Sequence, residues 1–291
     1  MKLRLRQVMS ALQKLRPSEV LAAAQRPVTL GILAADERFV DDVQELLFPD
    51  PHPADCERLL LVTNEADFAR VTAGFAEAGV PHPAHFYVFE PHRPSDAVAA
   101  LLDDDRNEEL LIALAASFPG LRTAVSERLI WKVAKENTFF TVATSLPNIV
   151  PSVLSLPWAV GEFASDTAFL TVNQVRLALM LAAAHGRPVG YDRQAIPVGS
   201  ILVSAMGWRA LARMAVSKIP AGGGVLSKGL VAFAGTFAMG RALEFWFQRG
   251  SSIPKAAEAE LYADALRRGR STVERIVKNA MVRSRRAAGS A

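Results

Sequence analysis

The stretch that decides the fold is residues 138–161, TFFTVATSLPNIVPSVLSLPWAVG, which runs for 24 positions without a charged residue. A helix of that length could cross the roughly 30 Å hydrocarbon core of a bilayer. Pro147, Pro151 and Pro157 interrupt it, and prolines at this density break a helix. The stretch therefore predicts a re-entrant or interfacial pair of short helices, or a buried hinge in a soluble bundle, rather than one straight span.

A second apolar stretch, residues 219–243, contains only two charged residues, Lys228 and Arg241. Ala234, Ala238 and Ala242 recur in it at every fourth position, a spacing that lets helix backbones approach closely. Residues 107–266, which enclose both stretches, are predicted to form an all-α, strongly apolar helical domain. Apolar surface on this scale must be hidden in a core, in a partner or in a bilayer.

The preceding segment, residues 27–106, shows a different pattern. Short apolar runs at 28–34, 59–63 and 85–90 predict strands, and the segments between and after them predict helices. Alternating strands and helices predict a parallel sheet with right-handed crossovers. The predicted fold class is therefore α+β multidomain, with a small α/β amino-terminal domain followed by the helical domain.

A nucleotide-binding domain would place its phosphate loop after the first of these strands. The sequence there is GILAADERF (31–39), which lacks the second glycine and the Lys-Ser/Thr pair of a phosphate loop. Asp36 and Glu37 would repel phosphate. Asn64-Glu-Ala-Asp67 is similar to the guanine-binding turn of GTPases without its lysine, but these residues serve equally well as helix caps. Asn64 and Asp67 are the only, weak, candidates for a cofactor site.

No catalytic or metal-binding pattern stands out elsewhere. One set of residues has the donor atoms that zinc prefers but no known ligand spacing beyond the short His82–His85 pair: His52, Cys56, His82, His85 and His92. We interpret them as surface residues and predict no metal, no cofactor and no enzymatic activity. A single cysteine in 291 residues indicates a reducing compartment.

Several polar residues interrupt the apolar helices predicted at 164–185 and 195–218. A buried polar group without a hydrogen bond costs a few kcal/mol, so these side chains should bind one another. We predict a structural polar network between helices, rather than a ligand site, from the following residues: Asp166, Asn173, Gln174 and Arg209.

The net charge of +4 hides a strong asymmetry along the chain. Residues 36–127 hold nineteen acids and six arginines, whereas residues 1–26 hold six bases and one acid. Residues 267–291 hold eight bases and one acid. We predict a basic amphipathic helix at 1–26 and a basic helix or tail at 267–291, either attracted to anionic lipid, folded back on the acidic segment or simply solvated. No sequence-specific nucleic-acid binding is expected.

The order of motifs in the second half resembles a known family. Leu170-Thr-Val-Asn-Gln174 is followed by Ala184-His-Gly186, and then by Gly207-Trp-Arg209 and Lys218-Ile-Pro220; Val231 to Gly240 (VAFAGTFAMG) and Trp246 complete the set. This order is similar to that of the bacterial GTPase-associated domain of unknown function 697, over roughly residues 110–270. The resemblance implies a helical domain that touches or enters the inner membrane, beside a GTPase or a degenerate GTPase-like half. It supplies no catalytic residue.

These observations together predict a non-catalytic, membrane-associated bacterial protein on the cytoplasmic face of the inner membrane. It would be an interaction or regulatory module that binds lipid and a protein partner or a second copy of itself, with residues 138–161 and 225–247 engaging the bilayer. The alternatives are a soluble cytoplasmic helical adaptor or oligomer, and a degenerate GTPase-like nucleotide-binding protein.

Overall fold

A computed structural model of the chain describes residues 15–28, 30–33, 37–50, 59–62, 70, 85–88, 94–146, 166–191, 193, 199 and 224–289. Most of these residues are helical. Contacts divide the chain into two compact units. The helical unit comprises Met1–Pro17, Glu127–Leu181 and Val189–Ala291, and the mixed unit comprises Ser18–Ser126 and Ala182–Pro188.

The mixed unit begins with helix α1 (Pro17–Ala24) and contains three strands of four residues, β1 (Leu30–Leu33), β2 (Leu59–Val62) and β3 (His85–Val88). The strand order is β2-β1-β3, and β1 is parallel to both neighbours. Leu30 lies opposite Leu59 on one side and opposite His85 on the other.

The predicted α+β class with an α/β amino-terminal domain is wrong for the described residues, which are mostly α. The reason is the balance of elements: the three strands have only four residues each, whereas long helices make up most of the described residues. The buried helical side chains of the mixed unit include Val43, Leu47, Leu101 and Leu114.

The described residues of the mixed unit include three further helices: α2 (Glu37–Leu47), α3 (Pro94–Asp103) and α4 (Leu111–Ser117). Short 3₁₀ turns, Asp105–Leu110 and Pro119–Leu121, precede and follow α4. The second turn packs directly on α2, because a Cβ on Gly120 would overlap the backbone carbonyl of Leu46. The rings of Phe48 and Phe118 meet beside it with centroids 5.5 Å apart.

Four long helices carry most of the helical unit. They are α5 (Arg122–Thr144), α6 (Asp166–Ala184), α7 (Val225–Arg249) and α8 (Lys255–Gly289). Helix α5 extends to Thr144, seven residues into the charge-free stretch of residues 138–161. Helix α8 runs without a break through residue 267, where the predicted basic helix or tail begins.

Aromatic rings and small residues hold these helices together. Trp131 on α5 makes edge contacts with Phe233 and Phe237 on α7, at centroid distances of 5.1 and 5.4 Å. A Cβ on Gly269 of α8 would overlap the Phe233 ring, so this glycine sets how closely α7 and α8 approach. Gly240 likewise sets how closely α7 approaches α5, since a Cβ at residue 240 would lie 2.7 Å from the Ile130 side chain on α5.

Candidate functional site in the helical unit

The polar centre of the helical unit is Asn173, a fully buried residue near the middle of α6. Its Nδ2 donates to Glu136 Oε2 at 3.0 Å and to Asn137 Oδ1 at 2.9 Å, both on α5. Its Oδ1 accepts from Arg176 Nη1, one turn further along α6, at 3.0 Å. Both ends of one amide are therefore bonded inside an otherwise apolar bundle.

An ion pair lies next to this amide. Arg176 Nη1 is 3.0 Å from Glu136 Oε2, and the side chains of the two residues are 18% and 12% exposed. Arg176 Nη1 thus donates hydrogen bonds to both Glu136 and Asn173. A carboxylate this enclosed would be costly without a cation, so Arg176 and Glu136 depend on each other.

The network continues to a third helix through Thr236. Asn137 Nδ2 donates to Thr236 Oγ1 at 2.8 Å, and Gln174 Nε2 lies 3.4 Å from the same oxygen. Thr236 is fully buried in the middle of α7. Six side chains on α5, α6 and α7 therefore form one connected set, the polar network: Glu136, Asn137, Asn173, Gln174, Arg176 and Thr236.

The polar network has a structural role. Apolar contacts are non-directional, whereas the hydrogen bonds of the polar network form only when α5, α6 and α7 have this alignment. Polar groups of this kind fix register at some cost in stability. The polar network therefore helps to fix how α5, α6 and α7 are aligned along their axes, which apolar contacts specify less strictly.

A second polar cluster lies near the end of α7. Glu244 is 3% exposed; its carboxylate is 2.6 Å from Arg241 Nη1 and 3.2 Å from Gln248 Nε2. Burial raises the pKa of Glu244 to about 7, and Glu127 on α5 adds to the rise, while Arg241 and Gln248 oppose it. Glu127 itself lies 3.5 Å from Arg268 of α8. Glu244 is thus a carboxyl group that changes charge near neutral pH.

A serine and a histidine meet in the mixed unit. Ser126 Oγ is 3.1 Å from His185 Nε2, and both residues are buried. Burial, together with the neighbouring cations Arg122 and Arg187, lowers the pKa of His185 to about 4. Such a pair could act as nucleophile and base, but Ser126 is fully enclosed, so a substrate cannot reach its oxygen. We interpret the pair as a structural hydrogen bond.

The structure brings together two of the residues predicted for the interhelical network, Asn173 and Gln174. Asp166 is the first residue of α6, and its side chain lies outside the described part. Arg209 lies outside the described residues, as do the nucleotide candidates Asn64 and Asp67. Asn64 and Asp67 stay weak candidates for a cofactor site.

Sequence reasoning missed Glu136, Asn137 and Thr236 as members of the network. The available signal was weak. Glu136 and Asn137 come just before the charge-free stretch, and Thr236 is a lone hydroxyl among alanines, glycines and aromatic residues. Polar residues at such positions in apolar helices need partners, but their partners lie 36 to 99 residues away in the sequence, so the sequence does not show which ones they are.

Metal ligands were not predicted, and the described residues contain no group of three His, Cys, Asp or Glu side chains that could hold a metal ion. His85 is the first residue of β3. The other candidate ligands, His52, Cys56, His82 and His92, lie outside the described part of the chain.

Among the described helices, α7 is the one long and apolar enough to cross a membrane. Its most apolar 18-residue window is 67% buried inside the protein's own fold, as in a core helix of a soluble protein. A shorter apolar helix spans residues Phe169–Ala184. Length and composition alone are weak evidence for a span.

Comparison of the chain with family models, curated proteins and solved structures finds no match. The resemblance to the bacterial GTPase-associated domain of unknown function 697 therefore stays a prediction, carried by motif order. The Asn173-Gln174 motif lies on α6 and the Val231 to Gly240 motif on α7. The motifs at 207–209 and 218–220 lie outside the described residues.

Proposed function

We propose that this chain is a non-catalytic, membrane-associated protein of the bacterial cytoplasm that binds the cytoplasmic face of the inner membrane and acts as an interaction or regulatory module. The membrane contact is peripheral. Helix α7 serves as a core helix of the bundle, and charged surface on other parts of the chain meets the lipid headgroups. The bacterial setting comes from the family resemblance alone.

The observation that carries the proposal is the way α8 covers α7. A Cβ on Gly229 would lie 3.0 Å from Val273, and Gly269 faces Phe233, so the two helices run antiparallel along their lengths. The outer side of α8 beside α7 is charged, with exposed residues that include Glu258, Glu260, Arg267, Arg268, Arg270 and Glu274.

A helix with such an outer face is poorly suited to the hydrocarbon of a bilayer, where each charged side chain costs several kcal/mol. Helix α7 is therefore shielded from lipid on that side by a water-exposed helix. Basic residues outnumber acidic ones toward the end of α8, and this excess suits the negative surface of a cytoplasmic leaflet. Peripheral binding satisfies both features.

A second candidate, a soluble helical adaptor or oligomer, is favoured by the burial of α7 within its own fold. Ala234 and Ala238, two of the small residues that could have formed an interface between copies, are fully buried inside the monomer. An oligomer of this protein would therefore use another surface.

Cell fractionation separates these candidates. We expect the protein to sediment with membranes and to be released by high salt or alkaline carbonate, without detergent. Protein found wholly in the soluble fraction at low salt, as one monodisperse species, would contradict membrane association and favour the adaptor. Protein that resists carbonate would contradict the peripheral mode and indicate a spanning segment.

A further inference from the structure

The segment of α8 after Glu274 carries an unusual surface. Arg275, Lys278, Met281, Val282 and Arg283 are all exposed, and we name this set the distal face. Met281 and Val282 are 39% and 43% exposed and are, with Leu21, the large apolar side chains most open to solvent in the described residues. From residue 275 onward the sequence contains five bases and no acid.

The distal face is continuous on the helix. Lys278, Met281 and Val282 are spaced i, i+3 and i+4, so they lie on one side, with Arg275 one turn earlier. The opposite side is buried through Val273, Val277 and Ala280. The apolar pair is thus bordered by cations on the outside of a helix whose other side is already packed.

Within the described part of the chain, the cations of the distal face differ from the other bases of α8 in their ion pairs. Arg267, Arg268 and Arg270 pair with Asp264, Glu127 or Glu274 within the helical unit. In contrast, Arg275, Lys278 and Arg283 have no carboxylate partner among the residues that the structure describes. A surface with three available cations and two exposed apolar groups matches a partner that is both anionic and apolar.

We infer that the distal face of α8 is the site at which this protein binds the surface of an anionic lipid bilayer. Cations bind the headgroup phosphates and acidic headgroups, while Met281 and Val282 enter the boundary between headgroups and acyl chains. A nucleic acid would satisfy the cations only, and residues 275–286 include no aromatic side chain on which a base could stack. This inference rests on the proposed membrane association and names the surface responsible.

Vesicle flotation with the full-length protein tests it. The probes are vesicles of phosphatidylcholine alone and of phosphatidylcholine mixed with phosphatidylglycerol. We expect binding to the anionic vesicles only, and a loss of about 100-fold in the triple variant Arg275→Glu/Lys278→Glu/Arg283→Glu, since each base near an anionic surface contributes about fivefold. The variant Met281→Ser/Val282→Ser should also lose binding, by about tenfold, because two apolar side chains leave the interface.

The matched control is Lys135→Glu/Lys228→Glu/Arg249→Glu, which changes the net charge equally at three exposed positions elsewhere in the helical unit. It should keep most of the binding, because its charges lie outside the distal face. An equal loss of vesicle binding in the control would overturn the inference, since net charge and not the distal face would then determine vesicle binding. Binding of double-stranded DNA that the serine variant leaves unchanged, without vesicle binding, would also overturn it.

The two proposals fail in different ways. If the triple variant still sediments with cell membranes like the wild-type protein, membrane association stands and the distal face is not its site. If the wild-type protein itself is soluble in cells and binds no vesicle, the proposed function fails. Unchanged circular dichroism of each variant establishes that these exposed substitutions leave the helices folded.

Discussion

Arg176 on α6 and Glu136 on α5 form an ion pair at 3.0 Å inside the helical unit, and the same arginine nitrogen binds the amide oxygen of Asn173. The pair joins two helices that are separated by the proline-rich stretch. It also connects, through Asn173 and Asn137, to Thr236 on α7. Alignment of three apolar helices thus depends on a few polar atoms.

Loss of one member of this ion pair should be costly. Replacing Arg176→Met leaves the carboxylate of Glu136 enclosed without its cation, and we expect the free energy of unfolding to fall by about 3 kcal/mol. Urea denaturation followed by circular dichroism measures the change. Lys135→Met, at an exposed position on α5 next to Glu136, is the control and should change stability by less than about 0.5 kcal/mol. Equal effects of the two substitutions would contradict the structural role of the pair.

Helix packing at the glycines offers a comparison within one unit. Gly269→Ala places a methyl group into the Phe233 ring, so we expect a loss of about 1–3 kcal/mol despite the better helix propensity of alanine. Gly235→Ala meets no atom within 4 Å and should stabilise the protein by about 0.5–1 kcal/mol. Thermal unfolding of both variants and the wild type measures the change in stability. We expect changes of opposite sign for the two substitutions, and a stabilising Gly269→Ala would refute the close approach of α7 and α8.

The raised pKa of Glu244 makes stability depend on pH. The folded protein holds this proton up to about pH 7, whereas the unfolded chain releases it near pH 4.5, so Glu244 lowers stability as pH rises between those values. Glu244→Gln keeps a polar group beside Arg241 and Gln248 but cannot ionise. We expect the variant to gain stability relative to wild type from pH 4.5 to 7, by up to about 3 kcal/mol. Parallel stability curves of the two proteins across this range would exclude the effect.

His185 acts in the opposite direction. Its folded pKa of about 4 lies below its ordinary 6.5, so the unfolded chain takes up a proton first and stability falls as pH drops from 6.5 to 4. His185→Gln can still bond Ser126 and should resist this loss. When unfolding is measured at pH 7 and at pH 4.5, the variant should be more stable than wild type only at pH 4.5. Greater stability of the variant at both pH values would indicate repacking instead of titration of His185.

The effects of Glu244 and His185 overlap between pH 4.5 and 6.5 with opposite signs. The contributions of these two groups to the pH dependence of wild-type stability should therefore largely cancel across that interval. The variants Glu244→Gln and His185→Gln measure the two contributions separately, and the double variant should show the same pH dependence as wild type there.

Periodicity predicted the helices well where it was strong. The predicted helix 164–185 and the apolar segment 225–247 correspond to α6 and α7 within two residues at each end, because a long apolar helix has caps and glycines that mark its limits. The three strands were also located by their apolar runs. The fold class was wrong because three short strand signals do not show how much of the described chain is helical.

The polar network shows the same limit at the level of side chains. The sequence indicated that Asn173 and Gln174 need partners, since a buried amide without hydrogen bonds is costly. It could not name Glu136, Asn137 or Thr236, because these residues meet only after three helices pack.

The sequence by itself determined helices α6 and α7, the excess of bases after Glu274 and the absence of the phosphate-loop pattern, all of which are local properties of composition and spacing. Only the tertiary structure decided that α7 is covered by its own chain, that Glu136 is paired with Arg176, and that Met281 and Val282 remain exposed. Burial and ion pairing depend on which side chains contact each other in the folded protein. The spacing of residues along one helix does not specify these contacts, because residues far apart in sequence supply the other half of each contact.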